Sequence, residues 1–315
     1  MSPFPQPYGV LVAARNALYE RGVLKQRRLQ GPVVSIGNLT VGGSGKTPFL
    51  IALGELLSQR GIAFDVLSRG YGRATRGVRL VDPEGSPRDF GDEPLLIARK
   101  LRVPVIVGEQ RYRAGLLAEQ RFGPRLHLLD DGFQHRQLAR DFDIVLITAT
   151  DARDALLPAG RLREPLSSLA RADAIVLTND TPLNGLPVQK QRVWRVSRAI
   201  EPPAVTERCV AFCGIARPQN FFTELSAAGI TLSDTKAFAD HHTYTKADIR
   251  NLLRLRNRAG ATSFVTTEKD EINLGPLVAE LGPRHVALVR LELHDAGDAI
   301  GAILARIGQR HTRPA

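Results

Sequence analysis

The stretch VVSIGNLTVGGSGKTPFLIALGELLSQ, from Val33 to Gln59, decides the fold. Four β-favouring residues, Val33 to Ile36, run into a loop carrying Gly37, Gly42, Gly43 and Gly45, and the loop ends in Lys46-Thr47 at the mouth of an apolar-periodic segment. The order is strand, phosphate loop, helix. Gly42, Gly43, Ser44 and Gly45 can turn backbone N–H groups around an anion, the helix N-terminus adds partial positive charge, and the Lys46 ammonium can reach nucleotide phosphates. The Thr47 hydroxyl is then placed for Mg2+. Pro48 suits a first helical turn, where no N–H is needed, and Gly61 suits a left-handed C-cap.

The match to G-x-x-x-x-G-K-[ST] is imperfect, because Thr40 stands where the first glycine is expected and leaves G-G-x-G-K-T. Arrangements of that kind occur among partitioning ATPases and metal-insertion GTPases, in which a lysine commonly precedes the paired glycines. Here that position is Val41.

Further strands with polar or glycine-rich ends follow. Phe64–Leu67 ends in SRGYGR, which puts Arg69 and Arg73 at a strand's carboxyl end, where open α/β sheets bind ligands; an exposed turn is the plainer reading. Gly91-Asp92-Glu93-Pro94 precedes the apolar-periodic LLIARKL, and alone this reads as helix capping. Leu126–Leu129 ends in Asp130-Asp131, and an apolar strand ending in Asp is the usual second Mg2+ anchor beside a phosphate loop. Strands at 143–147 and 173–177 flank the loop LPAGRLREP. After a pause at Glu201-Pro202-Pro203 a second set begins, with strands near 209–212, 264–267 and 286–289 and a helix from Gln219. Strands alternating with helices predict an α/β fold, a P-loop doubly wound, mostly parallel sheet (α/β/α), with a second, smaller α/β/α domain. The expected division is residues 31–200 and 201–315, after an N-terminal segment at 1–30.

Residues 7–30 mix Val10, Leu11, Ala14 and Leu18 with Arg15, Arg21, Lys25, Arg27 and Arg28. Such an amphipathic helix can lie in a membrane interface or pack on the protein's own core.

With 315 residues, 43% of them hydrophobic, the chain can bury two cores and carries no disorder signature. The net charge of +11 and a pI near 10.2 favour anionic ligands without choosing among nucleic acid, acidic lipid and phosphorylated substrate. No module for RNA or DNA is present, so nucleic acid is not an expected partner. Cys209 and Cys213 suggest neither a disulfide framework nor a zinc site, and the reading is a reducing cytoplasm. No run of about 18 apolar residues is present for a transmembrane span, and no signal-peptide order opens the chain. In the second set, His241-His242 reads as surface or structural histidine. Thr266-Thr267-Glu268-Lys269-Asp270 follows a strand but lacks the N-K-x-D spacing that reads guanine, which favours ATP over GTP.

Taken in order, GNLTVGGSGKTP, SRGYGR, GDEP, LDDGFQHRQLARD, LPAGRLREP, ADHH and TTEKD resemble the tetraacyldisaccharide 4'-kinase family of lipid A biosynthesis, from Gly37 to Asp270. The resemblance implies transfer of the ATP γ-phosphoryl group to the 4'-hydroxyl of a tetraacyldisaccharide 1-phosphate, giving lipid IVA at the cytoplasmic face of the inner membrane. It also implies that Lys46 and Thr47 hold phosphates and Mg2+, that Asp130 and Asp131 serve the metal, and that Asp131 and Lys46 belong to the catalytic set. Asp92 with His241 resembles the pair that accepts the hydroxyl proton, and Arg69, Arg73, Glu93, Arg163 and Glu164 fall to the substrate. The N-terminal helix becomes a membrane-surface anchor under this reading. The alternative is a P-loop ATPase of the metallochaperone or partitioning type.

Overall fold

A computed structural model describes residues 7–201, 203, 205 and 207–311, so Pro202 of the expected pause, the first six residues and the last four lie outside it. The strands are β1 Val33–Asn38, β2 Phe64–Ser68, β3 Arg79–Leu80, β4 Val105–Val107, β5 Leu126–Asp130 and β6 Phe142–Ile147, then β7 Ala174–Thr178, β8 Arg192–Glu201, β9 Cys209–Cys213, β10 Leu232–Ala237, β11 Ser263–Thr267 and β12 Arg284–Leu293. The helices are α1 Pro7–Glu20, α2 Lys46–Gln59, α3 Pro87–Phe90, α4 Asp92–Leu101 and α5 Arg111–Phe122, then α6 Pro218–Ala227, α7 Lys246–Arg258, α8 Glu268–Leu274, α9 Val278–Leu281 and α10 Ala296–His311.

Among the described residues the twelve strands form one sheet in the order β10-β9-β11-β12-β8-β7-β6-β1-β5-β2-β4-β3. Every residue of β1, β2, β5 and β6 is buried, because parallel strands are covered by helices on both faces. β1 lies between β5 and β6, parallel to both, with Ile36 beside Asp130, so the phosphate loop and Asp130-Asp131 leave the sheet at the same edge. On one face α2, α4 and α10 pack over Val34, Ile36, Val66 and Leu128. On the other, α5 and the loop segments after β5 and β6 cover Val33, Leu67, Leu129, Val145 and Ile175.

The second set of elements keeps its own cores, around Phe221 and Leu225 of α6 on one face and Ile249 and Leu252 of α7 on the other. The expected boundary at 201–315 nevertheless needs correcting. β12 pairs parallel with β11 through residues 284–287 and antiparallel with β8 through residues 288–293. The chain then returns, and Ala299, Ile300 and Ile303 of α10 enter the core beneath α2. β8 and β10 are strands that the sequence reading did not propose.

α1 packs through Val12 and Asn16, which are buried, while Val10, Leu11 and Leu18 are exposed. Asn16 Nδ2 donates to Glu164 Oε2 at 2.7 Å, and Tyr8 donates to the Arg163 carbonyl at 3.0 Å. Among the described residues no helix is long and apolar enough to cross a membrane.

Candidate active site

Gly45 stands at φ 83° before α2 and Gly42 at φ 100°, left-handed conformations that only glycine adopts cheaply. At Gly37 a Cβ would come within 2.6 Å of Phe133, so the strand's approach to the loop after β5 also requires glycine. Asn38, the last residue of β1, braces the loop: its Nδ2 donates to Ser44 Oγ at 2.6 Å and to Thr40 Oγ1 at 3.1 Å, and its Oδ1 accepts from Lys46 Nζ at 3.1 Å. Sequence reasoning missed Asn38, whose only signal was its place at the strand's end.

Asp131 takes φ 48° and turns its carboxylate to two cations. Arg163 binds it with both guanidinium nitrogens, at 2.7 and 2.9 Å, and Lys46 Nζ lies 3.5 Å away. Burial opposes its charge, yet Lys46 and Arg163 hold its pKa well below the usual carboxylate range. Asp130 is its opposite. Burial, then the nearby charges of Glu93 and Asp131, push its pKa up to about 7, while Ser68 Oγ donates to its Oδ2 at 2.8 Å. Its buried Oδ1 has no hydrogen-bond partner among the described residues. Arg111, which the sequence reading did not single out, is buried beside the two aspartates, and burial lowers its pKa to about 10.

Across the cleft, His241 Nδ1 lies 3.0 Å from Asp92 Oδ1 and 2.9 Å from Oδ2. Asp92 opens α4 and accepts from the Glu93 N–H at 2.8 Å, so the capping role and the pairing coexist on one carboxylate. Asn273 Nδ2 adds a bond at 3.1 Å. Burial works against the Asp92 charge, but the donors from His241 and Asn273 and the Lys269 charge bring its pKa down to about 2. His241 is raised: burial disfavours its cation, but Asp92 outweighs burial. His241 is held at a backbone φ of 57°, its backbone N–H donating to the Gly214 carbonyl at 3.2 Å, and the Tyr71 ring centroid lies 5.2 Å from that of the imidazole. A non-glycine residue kept in the left-handed region is a strain that surrounding contacts must sustain. His242 is a separate matter, turned toward Asp248 at 3.2 Å.

One cleft of about 1050 Å³ joins these groups. Gly42 to Thr47, Arg69, Glu93, Asp130, Asp131, Arg163 and His241 all line it, with Asp92 immediately behind His241. Two of the residues assigned to substrate are placed elsewhere. The Arg73 side chain is 2% exposed and folds back onto the Gly77 carbonyl at 2.6 Å and Glu109 at 2.7 Å, bracing its own loop. Glu164 is fully buried against Asn16 and Arg171, where it fastens α1 to the loop after β6.

Comparison with known proteins identifies the family. The chain is 51% identical to the tetraacyldisaccharide 4'-kinase of Koribacter versatilis, over 98% of this chain and 99% of that protein. It is 37% identical to that of Geobacter metallireducens, over 92% of each. A crystal structure of LpxK from Aquifex aeolicus in complex with ATP superposes with a TM-score of 0.78 at 33% identity, covering 95% of this chain and 96% of that one. The family model described as Tetraacyldisaccharide-1-P 4'-kinase matches residues 1–307, and the chain belongs to that family.

Proposed function

We propose that the protein transfers the γ-phosphoryl group of ATP to the 4'-hydroxyl of a tetraacyldisaccharide 1-phosphate, in lipid A synthesis. The observation that carries the reading is the single cleft in which the Gly42–Thr47 loop faces the Asp92–His241 pair. Family membership removes the partitioning-ATPase alternative.

Lys46 and the loop N–H groups hold the phosphates, and Arg163 keeps Asp131 ionised beside them. Thr47 and Asp130 are hard oxygen donors at the loop's mouth, and the unpartnered Asp130 Oδ1 fits a cation. Mg2+ held there would neutralise phosphate charge. The substrate oxygen forms its bond to the γ-phosphorus, the bond to the β–γ bridging oxygen breaks, ADP leaves, and the hydroxyl proton passes to Asp92. An aspartate with a pKa of about 2 suits this task, because the loose transition state of phosphoryl transfer needs an ionised acceptor that orients the hydroxyl rather than a strong base. Arg69 and Glu93, which line the cleft beside the pair, are the residues placed to meet the sugar.

The exposed Val10, Leu11 and Leu18 of α1, with Arg15, Arg21 and Lys25 nearby, suit the surface of an anionic membrane, the inner membrane's cytoplasmic face. The test is incubation with γ-labelled ATP and the lipid disaccharide. Label in a monophosphorylated-to-bisphosphorylated lipid product, lost in Lys46→Ala, is expected; hydrolysis of ATP without lipid labelling overturns the reading.

A further inference from the structure

The TTEKD run is the motif that the reaction above leaves unused. Thr267 caps α8, its Oγ1 accepting from the Asp270 N–H at 3.1 Å, and this starts the helix at the carboxyl end of β11 with Lys269 in its first turn. From there the Lys269 ammonium crosses to α4. Nζ lies 3.2 Å from His241 Nε2, 3.1 Å from Asp240 Oδ1, and 3.7 Å from both Asp92 Oδ2 and Glu93 Oε1. The side chain is 16% exposed, so these contacts are made largely out of water.

An ammonium has only hydrogens to offer, so a ring nitrogen that binds it must accept. With Nε2 accepting, the ring proton resides on Nδ1, the nitrogen that faces Asp92. We propose that Lys269 is a positioning residue for the reaction: it fixes the His241 tautomer that donates to Asp92 and ties α8 to α4 across the cleft. It lines the cleft beside the pair, and its effect on the reaction runs through the groups it positions, His241 and Asp92. The inference rests on the proposed kinase reading for its effect on turnover, though not for its effect on the imidazole.

The charges around His241 give the inference a direction. Asp92 of α4 and Asp240 beside the ring favour the imidazolium, whereas burial and the Lys269 ammonium oppose it; Glu93 of α4 faces the ammonium rather than the ring, and Tyr71 contributes an uncharged face. Burial also opposes the Lys269 charge, but Asp92, Glu93 and Asp240 raise its pKa, so it stays cationic. Removing the ammonium therefore raises the His241 pKa further. A persistent imidazolium holds the Asp92 oxygens in an ion pair and leaves them less free to orient the substrate hydroxyl.

The experiment uses the full chain as wild type, Lys269→Met and Lys269→Arg, measuring kcat, both KM values, the pH–rate profile and the His241 ring by nitrogen-detected NMR. Lys269→Met is expected to lower kcat by roughly tenfold to a hundredfold, the scale of acid–base contributions, with KM changed by less than about threefold. Its acid limb and its His241 titration should both move to higher pH, with the proton appearing on Nε2. Lys269→Arg, which keeps the charge and the fold, should retain the wild-type tautomer and titration midpoint. Unmoved His241 titration in Lys269→Met, or a shifted one in Lys269→Arg, overturns the proposal. The NMR readout needs no turnover, so a wild type that fails to phosphorylate the lipid would refute the kinase reading while the His241 titration still decides the role of Lys269.

Discussion

Asp92 carries two duties, the first-turn cap of α4 and the partner of His241, and mutants can separate them. Asp92→Asn keeps a capping oxygen but removes the charge. Turnover is expected to collapse while ATP binding persists, and Asp92→Ala with His241→Ala should be scarcely slower than Asp92→Ala alone, because residues acting as a unit are lost together. Additive penalties in steady-state kinetics would show that the two act separately. The pair also has a pH signature in stability. Asp92 is depressed from 3.8 to about 2, so its contribution is complete above 3.8 and fades as pH falls through 2; His241 is raised above 6.5, so its contribution is complete below 6.5 and fades as pH rises through the raised value. Chemical denaturation across pH should therefore find the gap between wild type and Asp92→Asn widest between 3.8 and 6.5. Lys46, Thr47, Asp130 and Asp131 were legible in sequence because each sits within a few residues of the strand that places it. His241 became legible only through the family resemblance, since its partner lies 149 residues away. Lys269 and Asn273 were missed for the same reason. Arg73 read as a ligand-binding arginine because composition does not reveal that a loop folds back on its own carbonyl.

At the scale of elements, the start of α4 depends on one glycine. Gly91 holds φ 91°, and a Cβ there would lie 2.9 Å from the Tyr71 carbonyl oxygen, so both the conformation and the space exclude a side chain. Gly91→Ala is expected to cost on the order of 1–3 kcal/mol in denaturant unfolding and to displace Asp92, with kcat falling more than KM changes. An unchanged unfolding midpoint would mean that the turn relaxes freely. α1 makes a different prediction. Its inner side is fastened by Asn16 and Tyr8, and its outer side presents Leu11 and Val10. The reading as core packing thus finds its residues on the inner side, and the exposed outer side is what the membrane reading puts to the test. Deleting the residues before Gln30 should release the protein from anionic vesicles in sedimentation, and raised salt should weaken binding of the intact chain. Co-sedimentation of the truncated chain would place the membrane contact elsewhere. α2, α4, α6 and the fully buried strands were readable because their patterns are local, whereas α7 and α10 were not proposed. β8, RVWRVSRAIE, was not: only Trp194 and Val196 are buried, and three arginines interrupt it, Arg195 half-buried and Arg192 and Arg198 exposed, so no apolar run marks it.

At the scale of the whole molecule, the division into two sets of strands was legible, but the path of the last forty residues was not. A strand that changes partners halfway, from β11 to β8, carries no mark in its composition, because both pairings ask for the same β-favouring residues. The return of α10 to the first core has a consequence for how the protein comes into being. Ile300 and Ile303 are fully buried beneath the phosphate-loop helix, so a nascent chain that has emerged only as far as Glu201 exposes the socket they fill. Large proteins usually complete their N-terminal domain first during synthesis. Here the nucleotide-binding half should remain protease-sensitive on stalled ribosomes until about the final helix has cleared the exit tunnel, and a chain ending at residue 283 should lack a cooperative melt. Protection of the shorter nascent chain would show that the first core closes alone. On this expectation, the competence to bind ATP waits until α10 has been made.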